Sequence, residues 1–270
     1  MIHLKQYKIM LYNVTIGADP ELFLIDSKTG DVVSSIGIIP GEKGNAYRSE
    51  DMPEGYGLEV DNILAEFNIP PVTQKEDFIE TINYMKNYIK KFIKAKNPDL
   101  DILCKASMMV NEDQLKSDEA KLFGCSVDYN AYTQAPNPKP KGEQTNLRSA
   151  GFHIHLGYDN CNVDTSLALI KYLDMYLGVP SVLKDTDTKR RSLYGKAGCF
   201  RLTPYGLEYR VLSSYFLTNK LTLNWVWNGI VKAIKAYNEG YPFADPDLVQ
   251  RAINNSDKEL AEVLIKKYKL

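Results

Sequence analysis

Apolar residues recur along the chain at two different periods, and the period sorts the sequence into strands and helices. Residues 7–13 alternate as a first strand. Residues 17–26 and 31–39 read as two arms of a hairpin around a turn at 27–30, followed by a polar, Gly-containing loop over 40–55. Residues 57–70 (GLEVDNILAEFNIP) are strand-like and end at Pro70-Pro71. Thr73 and Glu76 then form a T-x-x-E capping box. Phe78, Ile79, Ile82, Met85, Ile89, Phe92 and Ile93 recur at three and four, predicting a helix to about Lys96, before Asn97-Pro98. Residues 101–110 and 151–158 are strand segments, and 165–177 is a helix stopped near Gly178-Val179-Pro180. Residues 221–237 form an amphipathic helix, and Ser256 with Glu259 caps a last one. Between 111 and 150 the period is unclear, with a loop, PNPKPKGE, over 136–143. Strands with helices between and after them predict an α+β fold: a curved, mainly antiparallel sheet with helices on its outer face. The order of its strands does not follow from the pattern.

The segment 194–213, YGKAGCFRLTPYGLEYRVLS, concentrates Lys196, Arg201, Glu208 and Arg210 among aromatic, apolar and Gly positions. Leu207, Tyr209 and Val211 alternate with Glu208 and Arg210, so the two charged residues share one face of a strand. Arg201 lies on an earlier extended piece across a turn at 203–206. Such a pair aims two guanidiniums and a carboxylate into one pocket; an isolated E-x-R reads sooner as a surface ladder of ion pairs. Upstream, Asp19 and Glu21 are two apart and face one way, as a hard-cation pair or a solvated strand end. Glu59 and Asp61 share a parity, whereas Glu66 falls on the opposite face of one straight strand. A bend near Asp61-Asn62 is needed to bring Glu59 and Glu66 together. His153 and His155, two of three histidines, point to one side of a Gly-flanked strand, where they suit a metal or a phosphate. Asp185, Asp187, Lys189, Arg190 and Arg191 form a charged loop that can supply an arginine for a phosphate or carboxylate.

Bulk properties narrow the partners. The 270 residues carry a net charge of −1, which argues against a general nucleic-acid or membrane binder. No apolar run approaches ~18 residues, so no membrane span is expected. The amino-terminal segment is too polar for a secretory signal. Four cysteines stand far apart without C-x-x-C, which fits reduced thiols in a cytoplasm. Neither a P-loop, a G-x-G-x-x-G fingerprint nor a G-x-S-x-G elbow occurs. What remains is an inventory of carboxylates, imidazoles and arginines, suited to Mg²⁺ or Mn²⁺ beside nucleotide phosphates.

The ordered motifs G-A-D-P-E-L-F, G-L-E-V-D-N-x-L-A-E-F-N, R-S-A-G-F-H-I-H-L-G, R-R-S-L-Y-G-K-A-G-C-F-R and P-Y-G-L-E-Y-R-V-L-S resemble the phage-type amidoligases. These are carboxylate–amine ligases of type 2, distant relatives of glutamine synthetase and glutamate–cysteine ligase. The resemblance covers roughly residues 14–216, with FGCSVDYNAYTQAPNP (123–138) also similar, and leaves the helices of 217–270 without assigned chemistry. It implies one catalytic domain over 1–270, built on a glutamine-synthetase-like curved antiparallel sheet that binds ATP and Mg²⁺ (or Mn²⁺). It implies metal ligands at Asp19, Glu21, Glu59, Glu66, His153 and Glu208, with Asp19 standing where relatives commonly carry Glu. His155, Arg190 or Arg191, Lys196 and Arg201 fall to the nucleotide, and Arg201 and Arg210 to the γ-phosphate or acyl-phosphate. Asp61 is the expected acceptor of the amine's proton. The implied reaction joins a small-molecule or peptide carboxylate to an amine, in a bacterial host's cytoplasm if the chain is phage-encoded. A phosphotransferase or a non-catalytic binding module on the same scaffold are the alternatives. Oligomeric state is open.

Overall fold

The computed structural model describes residues 10–121, 128–137 and 145–270. Part of the strand expected over 7–13 and most of the loop at 136–143 fall outside these residues. Residues 10–13 carry no strand, and β1 is instead the long Thr15–Asp26. β2 is only Val32–Val33, a short return paired with Leu24 and Ile25.

The expected bend in 57–70 is a full reversal. β3 (Gly57–Asp61) and β4 (Leu64–Val72) pair antiparallel, with Asp61 opposite Leu64 and only Asn62 and Ile63 between them. Asn62 takes a left-handed φ of 59°, a conformation Asn tolerates in tight turns. α1 (Lys75–Lys96) has the predicted extent, but Gln74 is its N-cap, so Thr73 stands outside and no capping box forms. The single strand expected over 101–110 is two, β5 (Leu100–Leu103) and β6 (Ser107–Met109). After the short helix α2 (Asp118–Lys121) come β7 (Tyr129–Asn130), β8 (Leu147–Ser149) and β9 (Phe152–Gly157).

The helix predicted to stop at Gly178 does not stop. α3 (Val163–Leu173) passes through a π-turn at Asp174–Gly178 into α4 (Val179–Lys184). Pro180, which can donate no N–H, lies in the first turn of α4 directly after the π-turn, where the regular hydrogen-bond ladder is already interrupted. The resulting run Val163–Lys184 is long and apolar enough to cross a membrane, contrary to the reading of the sequence, and most of it is buried inside the fold. A one-turn helix α5 (Arg190–Leu193) and the hairpin β10 (Cys199–Thr203) and β11 (Gly206–Tyr209) follow. α6 (Lys220–Glu239), α7 (Pro246–Asn254) and α8 (Lys258–Tyr268) complete the chain. α7 was not anticipated, and Asp257 rather than Ser256 caps α8.

Among the described residues, nine strands form one antiparallel sheet, whose main path runs β3-β4-β1-β9-β11-β10-β7. β2 and β5 also pair β1, and β6 and β8 form a separate pair. Alternation gives the main sheet two unlike faces. Leu58, Phe67, Leu22, Ile154, Leu156 and Leu207 join one core with Phe78, Ile82 and Met85 of α1, Leu169 and Leu173 of α3, and Val226 and Ile230 of α6. Each such fully buried side chain stabilises the fold by about 1.5–3 kcal/mol. Their sequence neighbours, turned the other way, are the acids and histidines.

Asp174 ties the helical layer to the sheet. It is fully buried and accepts from Tyr132 Oη (3.0 Å), Tyr209 Oη (2.9 Å) and Gly198 N (2.6 Å). Burial nevertheless pushes its carboxyl up to about 7. Asp174→Asn, which turns one acceptor into a donor facing those donors, is expected to lower unfolding free energy by about 2 kcal/mol, measured by urea denaturation at pH 8.

Candidate active site

The polar face is assembled by register. Glu59 stands opposite Glu66, Glu66 opposite Glu21, and Asp19 opposite His153. Farther along, His155 stands opposite Glu208, and Glu208 opposite Arg201. Directly opposed like charges are destabilising, and here they are nearly all buried.

Two groups result. Glu21, Asp61 and Glu66 each present an oxygen within 4.8 Å of the others, and Asp19 and Glu208 oxygens lie as close to a ring nitrogen of His153. Asp61 Oδ1 is buried with no hydrogen-bond partner among the described residues. His153 Nδ1 lies 3.6 Å from both Asp19 and Glu208, too far for hydrogen bonds. Burial, with Arg210 next, holds the imidazole pKa well below its ordinary value, which disfavours a charged ring at these contacts. A hydrogen bond from Arg210 Nη1 reaches the same Nδ1 at 3.2 Å. Gly151 makes room for the ring: a Cβ there would stand 2.4 Å from His153 Nε2, and Gly151 N donates to Glu21 Oε2 at 2.5 Å.

Without a cation the acids favour protons. Burial first, and Asp61 second, push Glu21 up to about 7. Burial and then four neighbouring carboxylates raise Glu66 well above the usual range, and burial raises Glu59. Two side-chain cations offset part of the charge: Lys43 reaches Asp61 at 2.6 Å, and Arg210 pairs with Glu208 and with Asp128 (2.7 Å to Nε). Three carboxylates or two carboxylates and a neutral imidazole, one oxygen orphaned, are a donor set that fits a hard divalent cation.

Beside the acids lies a cavity of about 610 Å³, within the range of small-molecule sites and roomy enough for a nucleotide. Glu59, Arg48, His155 and Tyr205 line it with Gly17 and Gly44. Glu59 belongs to neither group of three and accepts from Gly44 N at 3.1 Å. His155 bridges Asp19 (Nε2, 2.9 Å) and Tyr205 Oη (Nδ1, 2.7 Å). Burial opposes its charge, but the Asp19 carboxylate outweighs burial and raises its pKa.

Several expected residues are placed otherwise. Asp61, expected to take a proton from the amine, is grouped with Glu21 and Glu66. Arg191 turns away to Ser181 Oγ (2.9 Å) and Ser256 Oγ (3.3 Å), bracing α4 against the carboxy-terminal helices. Lys196 is exposed and does not line this cavity. Arg201, half-buried, has Nε 3.5 Å from Asp128 and Nη1 3.7 Å from Glu208. Asp128, Lys43, Arg48 and Arg148 were not singled out from the sequence. Arg148 heads the R-S-A-G-F-H motif and Asp128 lies in the S-V-D-Y segment, so their motifs were the available signal.

The polar sheet face thus carries two adjacent acid groups, edged by arginines, beside a nucleotide-sized cavity. Residues 142–269, just under half of the chain, match the family described as phage phiEco32-like COOH.NH2 ligase-type 2. The resemblance read from the motifs is to this family, whose name denotes a carboxylate–amine ligase. The match includes the histidine and arginine motifs and runs through α6, α7 and all of α8, beyond the limit near 216 expected from the motifs. Glu21, Glu59, Asp61 and Glu66 precede it but share its sheet, because β1 pairs directly with β9. No curated protein matches the chain.

Proposed function

We propose that this protein joins a carboxylate to an amine at the expense of ATP, through an acyl-phosphate, with divalent cations held on the sheet. The observation that carries the reading is the adjacency of the two groups of three, Glu21–Asp61–Glu66 and Asp19–His153–Glu208. These are the residues that would hold the cations, which when bound neutralise phosphate charge and polarise the transferring phosphoryl group. Arg210, fixed by Glu208 and Asp128, and Arg201 beside it donate to phosphoryl oxygens, so positioning and electrostatics supply the rate. His153, kept neutral, serves as a ligand rather than an acid. A carboxylate engaged with a cation is a weak base. Glu59, facing the large cavity outside both groups, is therefore the better acceptor of the amine's proton.

The test is ATP turnover with Mg²⁺ or Mn²⁺ over pooled amino acids, polyamines and muropeptides, reading ADP and new amides by mass spectrometry. Stoichiometric ADP and amide, both abolished by chelator, are expected. ADP with a phosphorylated product and no amide would replace the ligase by a phosphotransferase. Failure to bind Mg²⁺·ATP would remove the nucleotide reading altogether.

A further inference from the structure

The segment between β2 and β3 sends one tight turn back onto the acids. Glu42 and Asn45 close it by exchanging backbone hydrogen bonds, Asn45 N to Glu42 O at 2.8 Å and Glu42 N to Asn45 O at 3.3 Å. Lys43 and Gly44 are left at the tip, and Gly44 takes a φ of 79°, which suits glycine in such a turn. The base is pinned to β3. Tyr47 and Leu58 exchange backbone hydrogen bonds at 2.8 and 3.0 Å, and a Cβ on Gly41 would stand 2.4 Å from the Leu58 carbonyl oxygen. Backbone thus fixes the base of the turn.

The tip is held differently, by two acids on one face of β3. Lys43 Nζ stands 2.6 Å from Asp61 Oδ2, and Gly44 N donates to Glu59 Oε2 at 3.1 Å. Gly44 also lines the large cavity with Ala46 and Arg48, so the tip lies where that cavity meets the Glu21–Asp61–Glu66 group. The Lys43 side chain is 42% exposed, against 12% for Asp61. A short swing of its flexible stem therefore returns the ammonium to water, while the carboxylate stays in the fold. An ammonium and a divalent cation on one buried carboxylate repel each other with little screening. The divalent cation carries twice the charge and meets three acids, so Lys43 is the one to leave.

We propose that the turn at 41–47 is a strap, latched by Lys43 onto Asp61 in the cation-free protein and released when a divalent cation takes the Glu21–Asp61–Glu66 group. The proposal rests on the cation part of the proposed function and adds a control to it. Release of the tip also frees Glu59 Oε2 from Gly44 N, so the acceptor proposed for the amine's proton is withheld until the cation is in place.

The experiment is amide hydrogen exchange of the full chain, stripped by chelator, with and without saturating Mn²⁺, paired with calorimetric titration of Mn²⁺. The cation is expected to slow exchange in β1 and β4 but to speed it about threefold or more in the peptide spanning 41–48. Ordinary ligand stabilisation would slow both. Lys43→Met keeps most of the stem and removes the charge, so it should bind Mn²⁺ about fivefold or more tightly than the unaltered chain. Its strap should exchange without metal as fast as the unaltered strap does with metal. Lys43→Arg keeps the charge and should keep the metal-free strap slow. Slower or unchanged exchange at 41–48 in Mn²⁺ would overturn the proposal, and this measurement on the unaltered protein needs no variant. Unchanged or weaker Mn²⁺ binding by Lys43→Met would overturn it too, weaker binding meaning that Lys43 holds Asp61 for the cation instead of competing with it. Mn²⁺ bound with an unresponsive strap removes the strap alone, whereas no Mn²⁺ binding by the unaltered chain removes the cation reading and the strap together.

Discussion

Replacing Glu66 by Gln is expected to lower cation-dependent amide formation by about 10³-fold, roughly 4 kcal/mol of transition-state stabilisation. The same change should leave the chelator-treated protein as stable as before, or more so. The two effects have one cause. Glu66 is buried on the central path of the sheet, opposite Glu21 on one side and Glu59 on the other. Burial, followed by Asp19, Glu21, Asp61 and Glu59, raises its carboxyl well above the usual range, which favours its protonated form in the cation-free protein. Gln has nearly the shape and hydrogen-bonding capacity of that protonated acid and cannot demand a counter-charge. It also cannot supply the anionic oxygen that a divalent cation needs. A residue kept only for folding would behave in the opposite way, losing stability while each folded molecule kept its activity. Turnover across an Mg²⁺ titration, with melting in chelator, separates the two. Activity within tenfold of the original, or a clear fall in melting temperature, would sink the assignment of Glu66 to the cation site.

How much of this could be read from the sequence depended on whether the cause was local. Alternation is local, and it sufficed to set His153 with His155, and Glu208 with Arg210, against the apolar partners that face the helices. The α+β class and the antiparallel sheet followed from the same pattern. Register is not local. The alignment of Glu59, Glu66 and Glu21 across three strands depends on a two-residue reversal at Asn62 and Ile63 and on β1 pairing β4. A parity argument along one straight strand could therefore only require a bend. Helix ends failed for a related reason: the stop signals at Gly178 and Pro180 are real preferences, but the apolar surface of 163–184 packed into the core outweighs them.

Residues reaching the site from loops and short elements were the least readable. Lys43 meets Asp61, and Asp128 meets Arg210, through contacts that follow no spacing. Arg190 and Arg191 are adjacent and alike in composition, yet one helical step sends Arg190 to the Val211 carbonyl and Arg191 to Ser181 and Ser256. The site thus combines a periodic half, the sheet face, with an aperiodic half that offsets its charge. The family match covers β8 to α8, while the Glu21–Asp61–Glu66 group lies ahead of it. Antiparallel pairing of β1 with β9 joins the two halves and sets Asp19 beside His153.

The chelator-treated protein is expected to lose stability as pH rises from 5 to 8, and divalent cation to restore it chiefly at the upper end. Glu21 sets the sign. Its folded carboxyl is raised from 4.5 to about 7, so the folded state binds the proton more tightly than the unfolded chain does. The resulting stability is complete below the unfolded value and is lost as pH climbs through the folded one. For one group the difference amounts to about 3 kcal/mol. Glu66 acts in the same direction. His153, whose pKa is lowered by burial, acts oppositely, gaining stability as pH rises through the range of an ordinary imidazole. A cation held by these acids must displace their protons, so its stabilisation should be small at pH 5.5 and several kcal/mol at pH 8 under saturating metal. Melting curves at the two pH values, with chelator and with Mg²⁺ or Mn²⁺, give the four numbers needed. Glu21→Gln supplies the control: it should flatten the chelator profile and abolish most of the cation-induced shift. Equal cation stabilisation at both pH values, or a chelated protein more stable at pH 8, would mean that these carboxylates are already ionised and balanced within the fold, and the cation site would have to be sought elsewhere.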